Sequence, residues 1–147
     1  MNNVDMVFYS DKFTVYECLY FVGFNGVYIG DLDLYTLLNE EVAIRIEYLP
    51  DNIEITGDVD LEGHNLHRVP ANFKVGGHID LDGTFITELP KNLCVVGDLD
   101  IRNTLVKELP DDIKVGNTLI IYDTPLANMD FLVPSGVVYV MKYLEEW

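Results

Sequence analysis

Acidic side chains recur at intervals of twenty residues in the central part of the chain, in rows that could bind cations or basic groups. The sites we single out are Asp58, Asp60, Glu62, His78, Asp80, Asp82, Asp98, Asp100 and Tyr122. If these rows lie on strands stacked in register, seven carboxylates share one surface, with neighbours about 4.8 Å apart. A like-charge pair at about 5 Å costs on the order of 1 kcal/mol even in water. Aspartate occurs three times in one of these rows in spite of this repulsion, which indicates a function.

Three interpretations of these rows remain open: a surface for a basic partner, a divalent cation site, and a solvated face that only keeps the chain soluble. Hard cations take oxygen ligands, but calcium needs six to eight of them around it, and a flat row supplies few. Acid–base catalysis is disfavoured because an open face excludes no water and so cannot separate the pKa values of two carboxyls. The pair His64 and His67 lacks a third metal ligand. The sequence therefore predicts neither an enzyme nor a cofactor.

The elements that would position these rows are four tandem repeats. Pro50, Pro70, Pro90 and Pro110 are spaced by twenty residues, and each follows Leu or Val. Six positions per repeat are apolar in every copy, and a single repeat cannot bury them alone, whereas a stack of repeats can. Alternating runs such as Asp98-Leu99-Asp100-Ile101 indicate strands with every second residue inward. The pattern predicts a mainly β fold, a parallel-sheet solenoid over residues 49–128.

Several further columns of the repeat have mechanical explanations. Val59, Ile79, Leu99 and Leu119 are predicted to form one inward column of the sheet. Gly or Asn precedes each strand, and Gly, Asn or Asp follows it, at positions 57, 77, 97, 117 and 63, 83, 103, 123. These residue types tolerate positive φ, so tight corners are expected at both places. Asn52, Asn72, Asn92 and Asp112, each two residues after a proline, are expected to satisfy backbone groups of their own turns.

The Leu-Pro start, the twenty-residue period and the Leu/Ile spacing resemble the short LPX-type leucine-rich repeats of bacterial effectors. The stretch VGGHIDLDGTFITELP is still more similar to the short repeats of uncharacterised bacterial and phage proteins. The resemblance covers residues 49–128 and implies a parallel solenoid with a protein-interaction role. Effector ligases carry a separate catalytic domain with a nucleophilic cysteine. Cys94 lies at a variable repeat position, so the resemblance does not extend to that activity.

Two flanking segments lie outside the repeats. Residues 1–48 are rich in Tyr and Phe, and Asn25-Gly26 is a strong signal for a two-residue hairpin. We expect a three-stranded antiparallel meander at about 4–9, 13–24 and 27–34, then a helical turn at 35–41 and a strand at 42–48, together forming an N-terminal cap. Its aromatic side chains are also a candidate surface for self-association. In the C-terminal segment 129–147, a closing strand is expected at 137–143.

The charge of the whole chain favours a protein partner over nucleic acid. Twenty-five acidic and nine basic residues give a net charge of −16, which repels phosphate backbones and attracts basic proteins. Two isolated cysteines, Cys18 and Cys94, and the absence of a secretion signal predict a cytoplasmic protein, in the host cytoplasm if it is viral. The favoured function is an acidic interaction module for a basic protein surface, of the type of a nucleic-acid-mimicking inhibitor. The alternative is a structural or oligomerisation module whose acidity serves only solubility.

Overall fold

Each twenty-residue repeat forms one turn of a parallel β-solenoid. The computed structural model describes residues 6–12, 26–33, 49 and 51–143. Each of the first three turns contains two short strands, which form where apolar and polar residues alternate. In the fourth turn, one longer strand covers the positions of both. The strands of the repeats are β3 (Ile53–Ile55), β4 (Val59–Asp60), β5 (Lys74–Val75), β6 (Ile79–Asp80), β7 (Cys94–Val95), β8 (Leu99–Asp100) and β9 (Lys114–Ile120).

The strands stack in two parallel ladders that keep the twenty-residue register throughout. In the first ladder, β3, β5, β7 and the start of β9 pair through Ile55, Val75, Val95 and Val115. In the second, β4, β6, β8 and the end of β9 pair through Val59, Ile79, Leu99 and Leu119. The predicted inward column is therefore confirmed, and all four of its side chains are buried. The first ladder was not predicted, although Ile53 and Ile55 alternate as strand residues do.

The core is one continuous apolar cluster that runs along the solenoid axis. In the third turn all six predicted inward side chains are buried: Leu89, Leu93, Val95, Leu99, Ile101 and Val106. Buried threonines line one corner, where each hydroxyl donates to a carbonyl three residues earlier in the chain, as Thr104 Oγ1 does to Ile101 at 2.7 Å. A turn of twenty residues thus buries its apolar groups against its neighbours and satisfies its own buried polar groups.

Positive φ angles confirm one predicted corner and correct the other. Gly63, Gly83, Asn103 and Asp123, which follow the second strand, all adopt φ between 54° and 73°. The glycines that precede that strand do not adopt positive φ, so the prediction for them was wrong. Gly97 is required there by close packing instead, because a Cβ on it would lie 2.4 Å from His78 Nδ1 and 2.9 Å from the Gly77 carbonyl oxygen. The asparagines that follow the first three prolines, Asn52, Asn72 and Asn92, also adopt positive φ, whereas Asp112 after Pro110 does not.

The N-terminal strands extend the solenoid, so the predicted antiparallel meander was wrong. Strand β1 (Met6–Lys12) pairs parallel with β2 (Gly26–Asp33), and Met6 lies opposite Gly26, an offset of one repeat length. Strand β2 pairs in turn with both β3 and β4. Both edges of β2 are therefore occupied by parallel strands, which leaves no edge for the antiparallel partner that the meander requires. The strands expected at 13–24 and 42–48 and the helical turn at 35–41 lie outside the described residues.

At the other end, a short 3-10 helix (Pro125–Asn128) is followed by β10 (Val137–Met141), which confirms the predicted closing strand. Strand β10 pairs parallel with β9, so it continues the stack by one further rung. Thr124 caps the helix by accepting a hydrogen bond from the Ala127 N–H. Within the described ranges, no helix has the length and apolar character needed to cross a membrane.

Candidate functional site

The second ladder carries all nine predicted site residues on one side of the solenoid. Strands β4, β6 and β8 end at Asp60, Asp80 and Asp100, which lie opposite one another in register. The other members lie two residues before or after this middle row. We call the nine residues together with Arg102 the acidic face: Asp58, Asp60, Glu62, His78, Asp80, Asp82, Asp98, Asp100, Arg102 and Tyr122. These side chains are therefore neighbours because equivalent residues of successive turns stack in register.

The middle row closes the corner that follows each strand. Oδ1 of Asp60, Asp80 and Asp100 accepts the backbone N–H of the residue two places later, at 3.1, 3.0 and 3.0 Å. An aspartate that bonds its own backbone in this way stabilises a turn. These aspartates therefore contribute a stabilising hydrogen bond as well as electrostatic repulsion. The sequence pattern had indicated only the repulsion. The turn requires only an oxygen acceptor, however, and asparagine would provide one without charge.

The row that begins at Asp58 links each turn to the next one. Asp58 Oδ1 accepts the His78 N–H at 2.8 Å, and His78 Nδ1 accepts the Asp98 N–H at 2.8 Å. Asp98 Oδ1 in turn accepts the Thr118 N–H at 2.9 Å. Asp98 Oδ2 also lies 3.4 Å from His78 Nδ1, as in an ion pair. The shorter contact decides the protonation, because a backbone N–H always donates, and His78 Nδ1 therefore carries no proton.

Arg102 is the one arginine or lysine within the acidic face, and it was not among the predicted site residues. Its Nε donates to both oxygens of Asp100, at 2.9 and 2.8 Å, and its Nη2 lies 2.7 Å from Asp100 Oδ2 and 3.3 Å from Asp82 Oδ2. Arg102 Nη1 donates to the Tyr122 hydroxyl, and the guanidinium lies 5.2 Å from the centre of the Tyr122 ring. The hydrogen bond with Asp100 raises the pKa of Arg102. In the sequence, Arg102 could have been recognised as a single basic residue twenty residues after Asp82, at the equivalent position of the next repeat.

Among the carboxyl groups of the face, Asp80 has the most strongly shifted pKa. Burial, reinforced by the negative charges of Asp100, Asp60 and Asp82, raises its pKa from 3.8 to about 6, although the Asp82 N–H acts in the opposite direction. Burial and the carboxylates of Asp80 and Asp82 likewise raise the pKa of Glu62. Asp80 remains mostly ionised at neutral pH. The face thus holds negative charge at a free-energy cost.

Three of these side chains are also close enough to share a cation. One oxygen each from Asp60, Glu62 and Asp80 lies within 4.8 Å of the others. A calcium ion would take six to eight oxygens, so three monodentate carboxylates would leave at least half of its shell to water. The histidine pair does not form a comparable cluster. His64 is fully buried, whereas His67 is exposed and stacks on Phe85 with 5.4 Å between ring centroids.

Charge is not spread evenly around the solenoid. Residues 51–143 contain fifteen acidic and seven basic side chains, and seven of the former and one of the latter lie on the acidic face. The face therefore carries a net charge of −6, and the remaining residues of this range carry −2. The outward row of the first ladder differs in sign: its members are Glu54, Lys74, Cys94 and Lys114.

In comparisons with known proteins, no family model, no curated protein and no solved structure matches this chain. Its function is therefore inferred from the geometry and charge of the acidic face.

Proposed function

We propose that the chain is a non-catalytic interaction module whose acidic face binds a basic protein surface, one that otherwise holds nucleic acid. The observation that carries the proposal is the concentration of charge: −6 on one face against −2 on the rest of residues 51–143. A charge that served only solubility would have no reason to gather on one ladder. A concentrated field instead steers a partner of opposite sign and sets its orientation.

The carboxylates of the face are also held in place before any partner arrives. Asp58, Asp60, Asp80 and Asp98 each accept a backbone N–H, and Asp100 and Asp82 contact Arg102. Side chains that are already ordered lose little conformational entropy on binding, which favours affinity. Rows of fixed negative charge about 4.8 Å apart lie on a scale similar to that of the phosphates of one DNA strand, which follow one another at about 3.4 Å of helix axis each. These features support the proposal of a nucleic-acid-mimicking inhibitor.

The structural role of these carboxylates can be separated from their charge, because an amide oxygen can accept the same backbone N–H as a carboxylate oxygen does. This makes the proposal testable. The variant Asp60→Asn, Glu62→Gln, Asp80→Asn keeps both capping oxygens and removes three charges. The matched control is Glu88→Gln, Glu108→Gln, Asp111→Asn, three exposed residues away from the face. Both variants change the net charge from −16 to −13, so they differ only in where the charge is lost.

The experiment is capture from a nuclease-treated extract on immobilised protein, with elution by salt and competition by duplex DNA. Proteins bound by the wild type and by the control variant, but not by the face variant, are the expected result. Salt should release them, because charges are screened over about 8–10 Å at physiological ionic strength. DNA should compete for their basic surfaces. Equal capture by both variants would refute the proposal and favour the alternative, a structural module whose acidity serves solubility.

A further inference from the structure

A cavity of about 620 Å³ lies against the first ladder, at strands β5, β7 and β9 and the segments that lead into them. Its volume is within the range of small-molecule sites, about 300–1,000 Å³. Six of the residues that line it are polar or carry a thiol: Asn72, Lys74, Asn92, Cys94, Asp112 and Lys114. None of them belongs to the acidic face, so the cavity is a separate feature of the molecule.

Lys74 and Lys114 bring positive charge to this cavity. They lie on either side of Cys94 in the register, so their backbones are two strand spacings, about 10 Å, apart. Within residues 51–143 neither lysine forms an ion pair, although acids outnumber bases fifteen to seven there. Glu54, the acid of the same row, lies one strand before Lys74 and does not line the cavity. The flexible stem of lysine lets both ammonium groups turn toward one anion above the smaller Cys94.

The asparagine column supplies a fixed polar part of the same cavity. Asn92 Nδ2 donates to Asn72 Oδ1 at 3.1 Å, and the Asn92 N–H donates to Asp112 Oδ2 at 3.1 Å. A carboxylate has sites for about four hydrogen bonds, so Asp112 can accept a hydroxyl in addition to this N–H. Its negative charge would at the same time repel a bare anion. The cavity therefore combines two cations with one charged acceptor.

We propose that this cavity binds a small phosphate monoester that also carries hydroxyl groups, that is, a phosphorylated polyol. Lys74 and Lys114 neutralise the phosphate, for which lysine is a common ligand in proteins, and Asp112 accepts a hydrogen bond from a hydroxyl. A bare phosphate gains the two lysines but meets the charge of Asp112. An uncharged polyol gains only the hydroxyl contact. The arrangement therefore selects a ligand that has both groups.

The test is an NMR titration of the ¹⁵N-labelled full chain with glycerol 3-phosphate, inorganic phosphate and glycerol. Glycerol 3-phosphate should shift the amide signals of Cys94 and its neighbours saturably, and it should bind more tightly than either of the other two probes. Replacing Lys74 and Lys114 together by Gln should weaken its binding more than about tenfold, because two charge-assisted contacts are lost.

The matched control replaces Lys91 and Lys107 by Gln, because both are exposed lysines that do not line the cavity. Each double variant changes the net charge from −16 to −18, so the two differ only in where the charge is lost. The control should bind glycerol 3-phosphate as the wild type does, with all variants equally folded by circular dichroism.

Asp112→Asn tests the second half of the site. Asparagine keeps an oxygen for the Asn92 N–H and removes the charge, so inorganic phosphate should bind this variant more tightly than it binds the wild type.

Three outcomes would overturn the proposal. One is the absence of saturable shifts at the cavity with any of the three probes. Another is a wild type that binds inorganic phosphate as tightly as glycerol 3-phosphate. The third is equal weakening by the two double variants, which would indicate non-specific attraction to a less acidic chain. Because the cavity shares no residue with the acidic face, these outcomes do not affect the proposed binding of a basic partner.

Discussion

Replacing Asp80 by Asn should stabilise the protein at neutral pH, although it alters a hydrogen-bonded residue in the middle of a repeat. Asparagine keeps the oxygen that accepts the Asp82 N–H and removes a charge crowded by Asp60, Asp82 and Asp100. Its amide can also donate to the neighbouring turn. The same molecule shows such a contact in another column, where Asn72 Nδ2 donates to Asn52 Oδ1 at 2.7 Å.

The magnitude follows from the pKa of Asp80, raised from 3.8 to about 6. Ionising a group with that displacement costs the folded state at most about 3 kcal/mol relative to the unfolded chain. The site is half-buried, and screening by solvent reduces the figure to about 1–2 kcal/mol. The folded chain holds the Asp80 proton more tightly than the unfolded chain does. This residue therefore costs no stability below about pH 4, and the cost develops as the pH rises through about 6.

Urea unfolding of the wild type and Asp80→Asn at several pH values measures the effect. The two proteins should be equally stable near pH 4, and the variant should be more stable by about 1–2 kcal/mol near pH 7.5. Asp111→Asn, at an exposed residue away from the face, should show no such pH-dependent difference. A variant less stable than the wild type at pH 7.5, or a difference that does not change with pH, would refute the assignment of strain to this carboxylate.

Three further predictions test the stack itself. Leu99→Asp places a charge in the fully buried inward column and should unfold the repeats, since burying an unpaired charge costs several kcal/mol; cooperative unfolding at wild-type stability would contradict the register. Gly97→Ala should destabilise by about 1–3 kcal/mol, because its Cβ would meet the His78 ring and the Gly77 carbonyl; calorimetry showing an unchanged melting temperature would contradict the close approach. His78 should carry its proton on Nε2, since Nδ1 accepts the Asp98 N–H; ¹⁵N chemical shifts of the ring at neutral pH that show the Nδ1–H form would disprove that bond.

The repeat made the fold predictable because each turn is a copy of the last. A fixed spacing of twenty residues allows only one register that keeps the apolar columns together, so the parallel stacking and the inward column could be deduced without coordinates. The closing strand followed from its alternation. The N-terminal strands could not be deduced in this way. Asn25-Gly26 is a strong local hairpin signal, but β2 pairs in parallel with β1 on one side and with β3 and β4 on the other, and a local sequence signal does not encode such long-range pairing.

The acidic face divides in the same way between sequence and tertiary structure. The sequence by itself determined which residues share the face, because side-chain direction alternates along a strand and register repeats every turn. Only the tertiary structure decided what each carboxylate does, since hydrogen bonds depend on ångström distances that spacing does not encode. The hydrogen bond from the Asp82 N–H to Asp80 and the ion pair of Asp100 with Arg102 each form within one turn, whereas the charges of Asp60 and Asp100 that help to raise the pKa of Asp80 belong to the neighbouring turns. Identical aspartates in one column thus differ in their partners because the side chains around each one differ.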